Sequence, residues 1–343
     1  MSIERLRVLE QVTISAPSRL HFGLFSIGNV VDRMYGGVGL MIDSPRTKVT
    51  CYASGSFSLS GPNAKACRHA IETWFKNQTG SNTFAFRSLD ELPVELKIES
   101  VPPRHSGFGT GTQLALCSAM AITQLLELPL PGPLEMAASV ARGARSGIGS
   151  HGFYHGGFLV DRGKETELVQ GGEKAPLAPL DFQTGFPKQW PVVTLILKNE
   201  TGLSGGLEMD AFANLPPTSE SERESMIEIV RTKMIPGVTQ TDYDLFADGV
   251  FEFGRRSGMM YEPIQNGPYN GHSIEKLVNE IRSFGVPAVG QSSWGPCVFA
   301  ITRDDETANK LVSFVRANYS DQCDVEITRA DNQGAELLSA NKA

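Results

Sequence analysis

The chain has 343 residues, 41% of them hydrophobic and 20% charged, with a formal net charge of −7; this fits a globular protein with room for two cored domains and excludes a general polyanion binder, so no nucleic acid is expected. Five scattered cysteines, Cys51, Cys67, Cys117, Cys297 and Cys323, form no CxxC pair, which argues against a disulfide framework or zinc knuckle and for a reducing, cytoplasmic setting. No stretch reaches the roughly 18 apolar residues of a membrane span, and the charged opening MSIERLRVLE has no signal core, so neither membrane insertion nor secretion is expected.

Val12 to Ala16 and Leu20 to Phe25 read as short strands joined by a turn at Pro17-Ser18-Arg19. Arg19 and His21, two apart, share one face of the second strand and are read as substrate contacts. Tyr35 to Ile42 is a glycine-rich turn feeding a strand, and Lys48 to Tyr52 and Ser56 to Ser60 continue the strand pattern. Asn63 to Asn77 has helical periodicity with Ala66, Ala70, Trp74 and Phe75 on one side, and Val94 to Glu99 alternates as a strand.

That strand leads into Arg104-His105-Ser106-Gly107-Phe108-Gly109-Thr110-Gly111-Thr112-Gln113, which runs unbroken into the apolar segment Leu114 to Leu128. Small residues let a backbone bend tightly and aim several N–H groups at one ligand, and the positive end of the following helix dipole adds to them. Ser106, Gly107, Gly109, Thr110, Gly111 and Thr112 are therefore read as a phosphate cradle. The string is neither a P-loop, since Gly-Lys-Ser/Thr is missing, nor a Rossmann fingerprint.

Thr112 to Leu128, Ala- and Ser-rich and apolar nearly all round, reads as a buried helix, and Pro133 opens another through Arg142. A second small-residue loop, Arg142 to Phe153, holds Arg142, Arg145 and His151; two arginines beside glycines suit a phosphate or carboxylate. His151 and His155 have the spacing of a helical metal pair, but Gly152, Gly156 and Gly157 argue against a helix and so against zinc. Gly156 to Asp161 reads as a strand, and Pro176, Pro179 and Pro187 mark a linker, dividing the chain into domains 1–180 and 190–343.

In the second domain Val192 to Leu197 is a strand, followed by the small-residue run Thr201 to Gly206. Ser219-Glu220-Ser221-Glu222 is a capping box for a helix to Lys233, with further helices over Tyr243 to Met259, Ser273 to Phe284 and Asp304 to Asn318. Val289 to Ala300 is a strand–turn–strand around Ser292, Ser293 and Trp294, and Cys323 to Thr328 is a last strand. This order is that of a ferredoxin-like α+β layer.

SAPSRLHFGL, RHSGFGTGTQLAL and GQSSWGPCVFA resemble, in order and spacing, the N-terminal segment, phosphate loop and C-terminal glycine loop of the GHMP kinase superfamily. The resemblance covers nearly the whole chain. It implies an α+β, GHMP kinase-like two-domain fold, with a ribosomal protein S5 domain 2-like N-terminal domain, a ferredoxin-like C-terminal domain and the site between them. The kinases commonly read Pro-Ser-Gly-x-Asp where this chain reads Arg145-Ser146-Gly147-Ile148-Gly149, so a glycine stands where the catalytic aspartate would be, and Thr110 is followed by Gly111 rather than paired serines. Together with the Gly-Gly-Phe-Leu-Val-Asp run and SSWGP, these departures resemble one family, the beta-ribofuranosylaminobenzene 5'-phosphate synthases of tetrahydromethanopterin synthesis.

That resemblance implies a reaction of phosphoribosyl pyrophosphate with 4-aminobenzoate or 4-hydroxybenzoate, releasing pyrophosphate and CO2 and joining ribose C1 to the ring carbon that carried the carboxylate. It implies Mg²⁺ on the diphosphate, no organic cofactor and a homodimer. Arg19, His21, Arg145 and Ser146 are assigned to the reacting centre, and Arg142, His151, Ser292, Ser293 and Trp294 to substrate binding. The sequence assigns no metal ligands; Asp32 or Asp161 is a candidate for metal or ribose hydroxyls. Two rivals stand beside this reading: a small-molecule kinase using ATP, and a non-catalytic sensor of a phosphorylated ligand.

Overall fold

Two β-sheets organise the chain in a computed structural model that describes residues 9–28, 30, 32–79, 84–170, 176–198, 200 and 215–342. Along the chain run β1 (Leu9–Leu24), β2 (Arg33–Met34), β3 (Gly37–Ala53), β4 (Ser58–Ser60) and helix α1 (Ala64–Gln78). Then come β5 (Val94–Ser100), α2 (Thr110–Leu125), α3 (Pro133–Ser139), α4 (Ile148–His155), β6 (Phe158–Asp161), β7 (Lys164–Glu165) and β8 (Leu180–Thr184). After β9 (Val192–Leu197) a set of helices leads to β10 (Ala288–Gln291), β11 (Cys297–Ile301), β12 (Cys323–Thr328) and β13 (Glu336–Lys342).

The first sheet has the order β13-β1-β3-β5-β4, with β6 pairing β3 and β8 pairing β6. Helices α1 and α2 cover it, and Trp74, Leu116, Ile122 and Leu96 are among the residues of their shared core. The second sheet has the order β10-β11-β9-β12, every pair antiparallel, with the helices His272–Phe284 and Asp305–Tyr319 packed on one face. This is the expected ferredoxin-like layer beside an S5-like one. The two layers meet through apolar contacts, among them Phe22 of β1 against Phe299 of β11 at 4.8 Å between ring centroids.

Several expectations are corrected. Pro17-Ser18-Arg19 is no turn: β1 runs through it, bulged between Ala16 and Ser18, where a residue without an N–H is tolerated. The segment 148–155 is a helix despite its glycines; Gly152 serves its packing, since a Cβ there would stand 2.3 Å from Met41 Sδ of β3. The 176–187 stretch is not only a linker, since β8 extends the first sheet, and β13 returns from the C-terminal end to pair with β1. The Thr201 to Gly206 run lies outside the described residues.

Candidate active site

The bend before α2 is shaped by backbone that only glycine adopts readily. Gly107 has φ 98° and Gly109, the residue capping α2, has φ 69°. A Cβ at Gly107 would stand 2.7 Å from the Ser292 carbonyl oxygen, and one at Gly109 would stand 2.9 Å from Arg19 Nε. Ser106 Oγ donates to Pro103 O at 2.6 Å and Thr110 Oγ1 donates to the same oxygen at 3.1 Å. Those hydroxyls fasten the loop, so what it offers a ligand is chiefly backbone N–H. No acidic residue sits in the first turn of α2 to offset the positive end of its dipole.

The 291–297 turn of the second layer clamps this bend to β1. Ser292 Oγ donates to Gly107 O at 2.7 Å and accepts from His21 N–H at 3.0 Å, while Ser293 N–H donates to His21 O at 3.1 Å. Gly295 touches the loop so closely that a Cβ would meet Gly107 N at 2.3 Å. Ser292 is fully buried with both hydrogen-bonding roles occupied.

Two adjoining cavities lie beside the clamp and share Arg19, Thr112, Arg142, Ser293 and Trp294. One, of about 310 Å³, is lined by the loop residues Gly107, Gly109, Thr110 and Gly111. The other, of about 370 Å³, lies between the layers and is lined by His21, Arg145, Ser146, Ser150, Tyr261 and Tyr269 among others. No Asp or Glu lines either cavity among the described residues. Burial, and secondarily Arg104, lowers the Arg142 pKa, so an anion placed here would relieve an unfavourable concentration of positive charge.

Several residues lining the larger space carry buried polar atoms without partners. Arg142 Nε, Ser150 Oγ, Gln265 Oε1 and Tyr269 OH are buried and make no hydrogen bond, and all four residues line that cavity. Such groups are rare in folded proteins unless a ligand or water completes them. Tyr261 meets Trp294 edge-on at 4.7 Å, giving the cavity an aromatic wall.

Below this wall a buried polar chain begins at β1. His21 Nε2 lies 3.0 Å from Ser146 Oγ, which donates to Asp161 Oδ2 at 2.8 Å. Gly147 N–H also donates to Oδ2, and Gly163 N–H donates to Oδ1. Burial pushes the Asp161 carboxyl up to about 6, against the pull of these donors. Burial, followed by the positive charges of Arg19 and Arg145, holds His21 well below the usual imidazole range, so the ring is neutral at pH 7.

The structure thus gathers Arg19, His21, Arg142, Arg145, Ser146, Ser293 and Trp294 around one cavity and Gly107, Gly109, Thr110, Gly111 and Thr112 around its neighbour. Ser106 and Ser292 lie beneath the surface as fasteners. His151, read from sequence as a substrate contact, is instead buried with Nε2 on Ala178 O at 2.8 Å and lines neither cavity. Asp32 likewise lines neither. Sequence reasoning missed Ser150, Gln265, Tyr261 and Tyr269, and it left the role of Asp161 open. Only Ser150, beside Gly149 in a glycine-rich bend, carried a local signal.

The chain and its fold match known proteins. The family described as GHMP kinases N terminal domain matches residues 72–157, and that described as GHMP kinases C terminal matches residues 234–321, together just over half of the chain. The beta-ribofuranosylphenol 5'-phosphate synthase of Methanothermobacter thermautotrophicus is 27% identical over 96% of this chain and 99% of its own. That of Methanocaldococcus jannaschii is 28% identical over 94% and 99%. Among solved structures, homoserine kinase from Cytophaga hutchinsonii shares the fold with a TM-score of 0.64 at 15% identity, covering 98% of this chain and 99% of that one. Mevalonate diphosphate decarboxylase from Staphylococcus aureus does so with a TM-score of 0.61 at 12% identity, covering 96% and 98%.

Proposed function

The chain belongs to the GHMP kinase superfamily, and within it we propose that the protein is a pentosyltransferase that moves a phosphoribosyl group onto an aromatic ring rather than a kinase. Its relatives are named for a ribofuranosylphenol product, so the acceptor is read as 4-hydroxybenzoate, with 4-aminobenzoate as the alternative, and the step is read as one of tetrahydromethanopterin synthesis. The observation that carries this reading is the acid-free pair of cavities. A backbone cradle suited to diphosphate opens onto an arginine-rich, aromatic-walled space, and where superfamily kinases hold their aspartate stands Gly149, whose Cβ position faces Thr112 at 3.4 Å.

In this reading the Gly107–Thr112 bend and the head of α2 receive the departing diphosphate with preorganised donors. Arg142 and Arg145 hold the 5'-phosphate and the arene carboxylate, and Tyr261, Tyr269 and Trp294 shelter the ring. Phosphoribosyl pyrophosphate loses its diphosphate as ribose C1 becomes cationic. The ring carbon bearing the carboxylate attacks C1, and the C–COO⁻ bond then breaks, its electrons restoring aromaticity as CO2 leaves. No organic cofactor is needed for these steps. With no carboxylate lining the cavities, the protein offers a Mg²⁺ ion only neutral oxygens, among them the Thr112 and Ser150 hydroxyls, and the substrate's diphosphate oxygens would bring it in. Such an ion would neutralise charge on the departing group.

Among the described residues no helix is long and apolar enough to cross a membrane, and the substrates are small soluble anions. A homodimer is the expected assembly. Carboxyl-labelled 4-hydroxybenzoate tests the reading: labelled CO2 should appear with phosphoribosyl pyrophosphate and Mg²⁺ and not with ATP. ATP consumption with an alcohol acceptor would identify a kinase instead, and ligand binding with no turnover a sensor.

A further inference from the structure

We propose that Asp161 is a positioning residue that acts through Ser146 to hold His21 with its proton on Nε2, leaving Nδ1 as the acceptor for the para-hydroxyl proton of a phenolic substrate. The inference deepens the pentosyltransferase reading and rests on it. Ser146 has one proton, and the 2.8 Å contact with a carboxylate oxygen takes it. The lone pair of Ser146 Oγ facing His21, 3.0 Å away, must then receive a proton from Nε2, so the basic nitrogen of the ring is Nδ1.

The fold builds this chain deliberately. Gly37 of β3 pairs in register with Asp161, and a Cβ at Gly37 would stand 3.0 Å from His21 Nε2, so the glycine makes room for the ring. Gly147 and Gly163 fix the carboxylate with backbone N–H groups at 2.8 and 2.9 Å. Asp161 is buried and lines neither substrate cavity, so it touches the reaction only through Ser146 and His21, both of which line the larger one.

The charges around His21 make the acceptor conditional on substrate. Burial first, then Arg19 from its own strand and Arg145 from the α3–α4 loop, disfavour the imidazolium, while the Asp161 carboxylate of β6 is linked to the ring through Ser146 and lies beside Lys164. Arg142 lines the same cavity, as does Gly254 of the helix Tyr243–Met259; that helix also contributes Ser257, and the 291–297 turn contributes Ser293 and Trp294, none of these last four charged. Anionic substrate bound at the arginines offsets their charge, and His21 then gains basicity when the arene is in place. The phenol O–H bond breaks, its proton passes to Nδ1, and the electron pair left on oxygen flows into the ring, making the carboxylate-bearing carbon the nucleophile. When CO2 has left, the imidazolium returns the proton to the phenolate. An aniline ring need lose no proton before attack, because its nitrogen lone pair supplies the electrons directly.

Nitrogen-15 spectra of labelled histidine, with His21 assigned by its loss in H21Q, test this directly. The wild type should show the Nε2–H form at pH 7, and adding pyrophosphate should move the His21 titration midpoint upward. S146A should abolish the tautomer preference, and D161N should shrink the pyrophosphate-induced rise. In turnover, S146A should lose about 100-fold or more in kcat with 4-hydroxybenzoate but less than about tenfold with 4-aminobenzoate, at unchanged KM for phosphoribosyl pyrophosphate; S146T, which keeps the hydroxyl, should recover most of the loss. An Nδ1–H ring in the wild type, or equal losses with both arenes, overturns the inference while CO2 release upholds the reading. Absence of both pyrophosphate binding and CO2 release with either arene removes the reading itself.

Discussion

The two adjoining cavities are built in opposite ways. The smaller is a bend of backbone whose hydroxyls are tied to Pro103 and whose glycines lie against Arg19 and Ser292. The larger is made of side chains from both layers, several with buried polar atoms that nothing in the protein satisfies. A main-chain cradle suits what every diphosphate shares, whereas a side-chain chamber can select one acceptor. The difference teaches that anchorage and specificity are separable here, with Arg19 and Arg142 belonging to both.

Breaking the cradle should have the largest effect. Valine at Gly109 forces a β-branched residue to φ 69° and pushes a Cβ against Arg19, so G109V should lose about 10³-fold or more in kcat/KM, with phosphoribosyl pyrophosphate affinity falling in calorimetry. Unchanged affinity would remove the cradle from the account.

The polar chain behind the chamber is probed by pH. Burial raises the Asp161 carboxyl from 3.8 to about 6, so the folded chain holds that proton more tightly than the unfolded chain does. The resulting stability is fully present below about pH 4 and is lost as pH rises through 6, a span worth roughly 3 kcal/mol. Denaturant unfolding should show the wild type losing about 2 kcal/mol more than D161N between pH 4 and pH 7; parallel curves would mean the carboxyl is not desolvated.

Arg142 sharpens the boundary between the cavities, because it lines both. R142A should lower kcat/KM about 100-fold, roughly 2.7 kcal/mol, with the loss seen for both substrates. A defect confined to one substrate would assign the side chain to one cavity alone. The mildest test is Y269F, which deletes a buried hydroxyl without a protein partner. Its unfolding free energy should change by less than about 0.5 kcal/mol while the arene KM rises, and a clear loss of stability would show that the hydroxyl serves the fold.

The same contrast explains what the sequence discloses. Alternate glycines before an apolar helix mark the cradle because the constraint is local: Gly107 and Gly109 need their φ values whatever surrounds them. The ferredoxin-like layer was equally legible, since capping residues Ser219, Asp242 and Asp304 and a strict strand pattern are written within each element. Tyr261, Gln265 and Tyr269 reach the chamber from beyond the end of a long helix, where no short-range pattern marks them. Asp161 depends on a strand pairing with Gly37, a contact between residues more than a hundred positions apart. Gly152 misled at α4, where it packs against Met41 rather than opening a loop, and His151, read as a ligand contact, is set with its Nε2 on the Ala178 carbonyl.

The most direct test of pentosyl transfer is the bond formed. With carbon-13 at ribose C1 of phosphoribosyl pyrophosphate and at the carboxylate-bearing ring carbon of 4-hydroxybenzoate, the product should show a one-bond carbon–carbon coupling and retain its 5'-phosphate. A product lacking that coupling, with ribose attached through oxygen or with a phosphorylated acceptor in its place, would contradict the account.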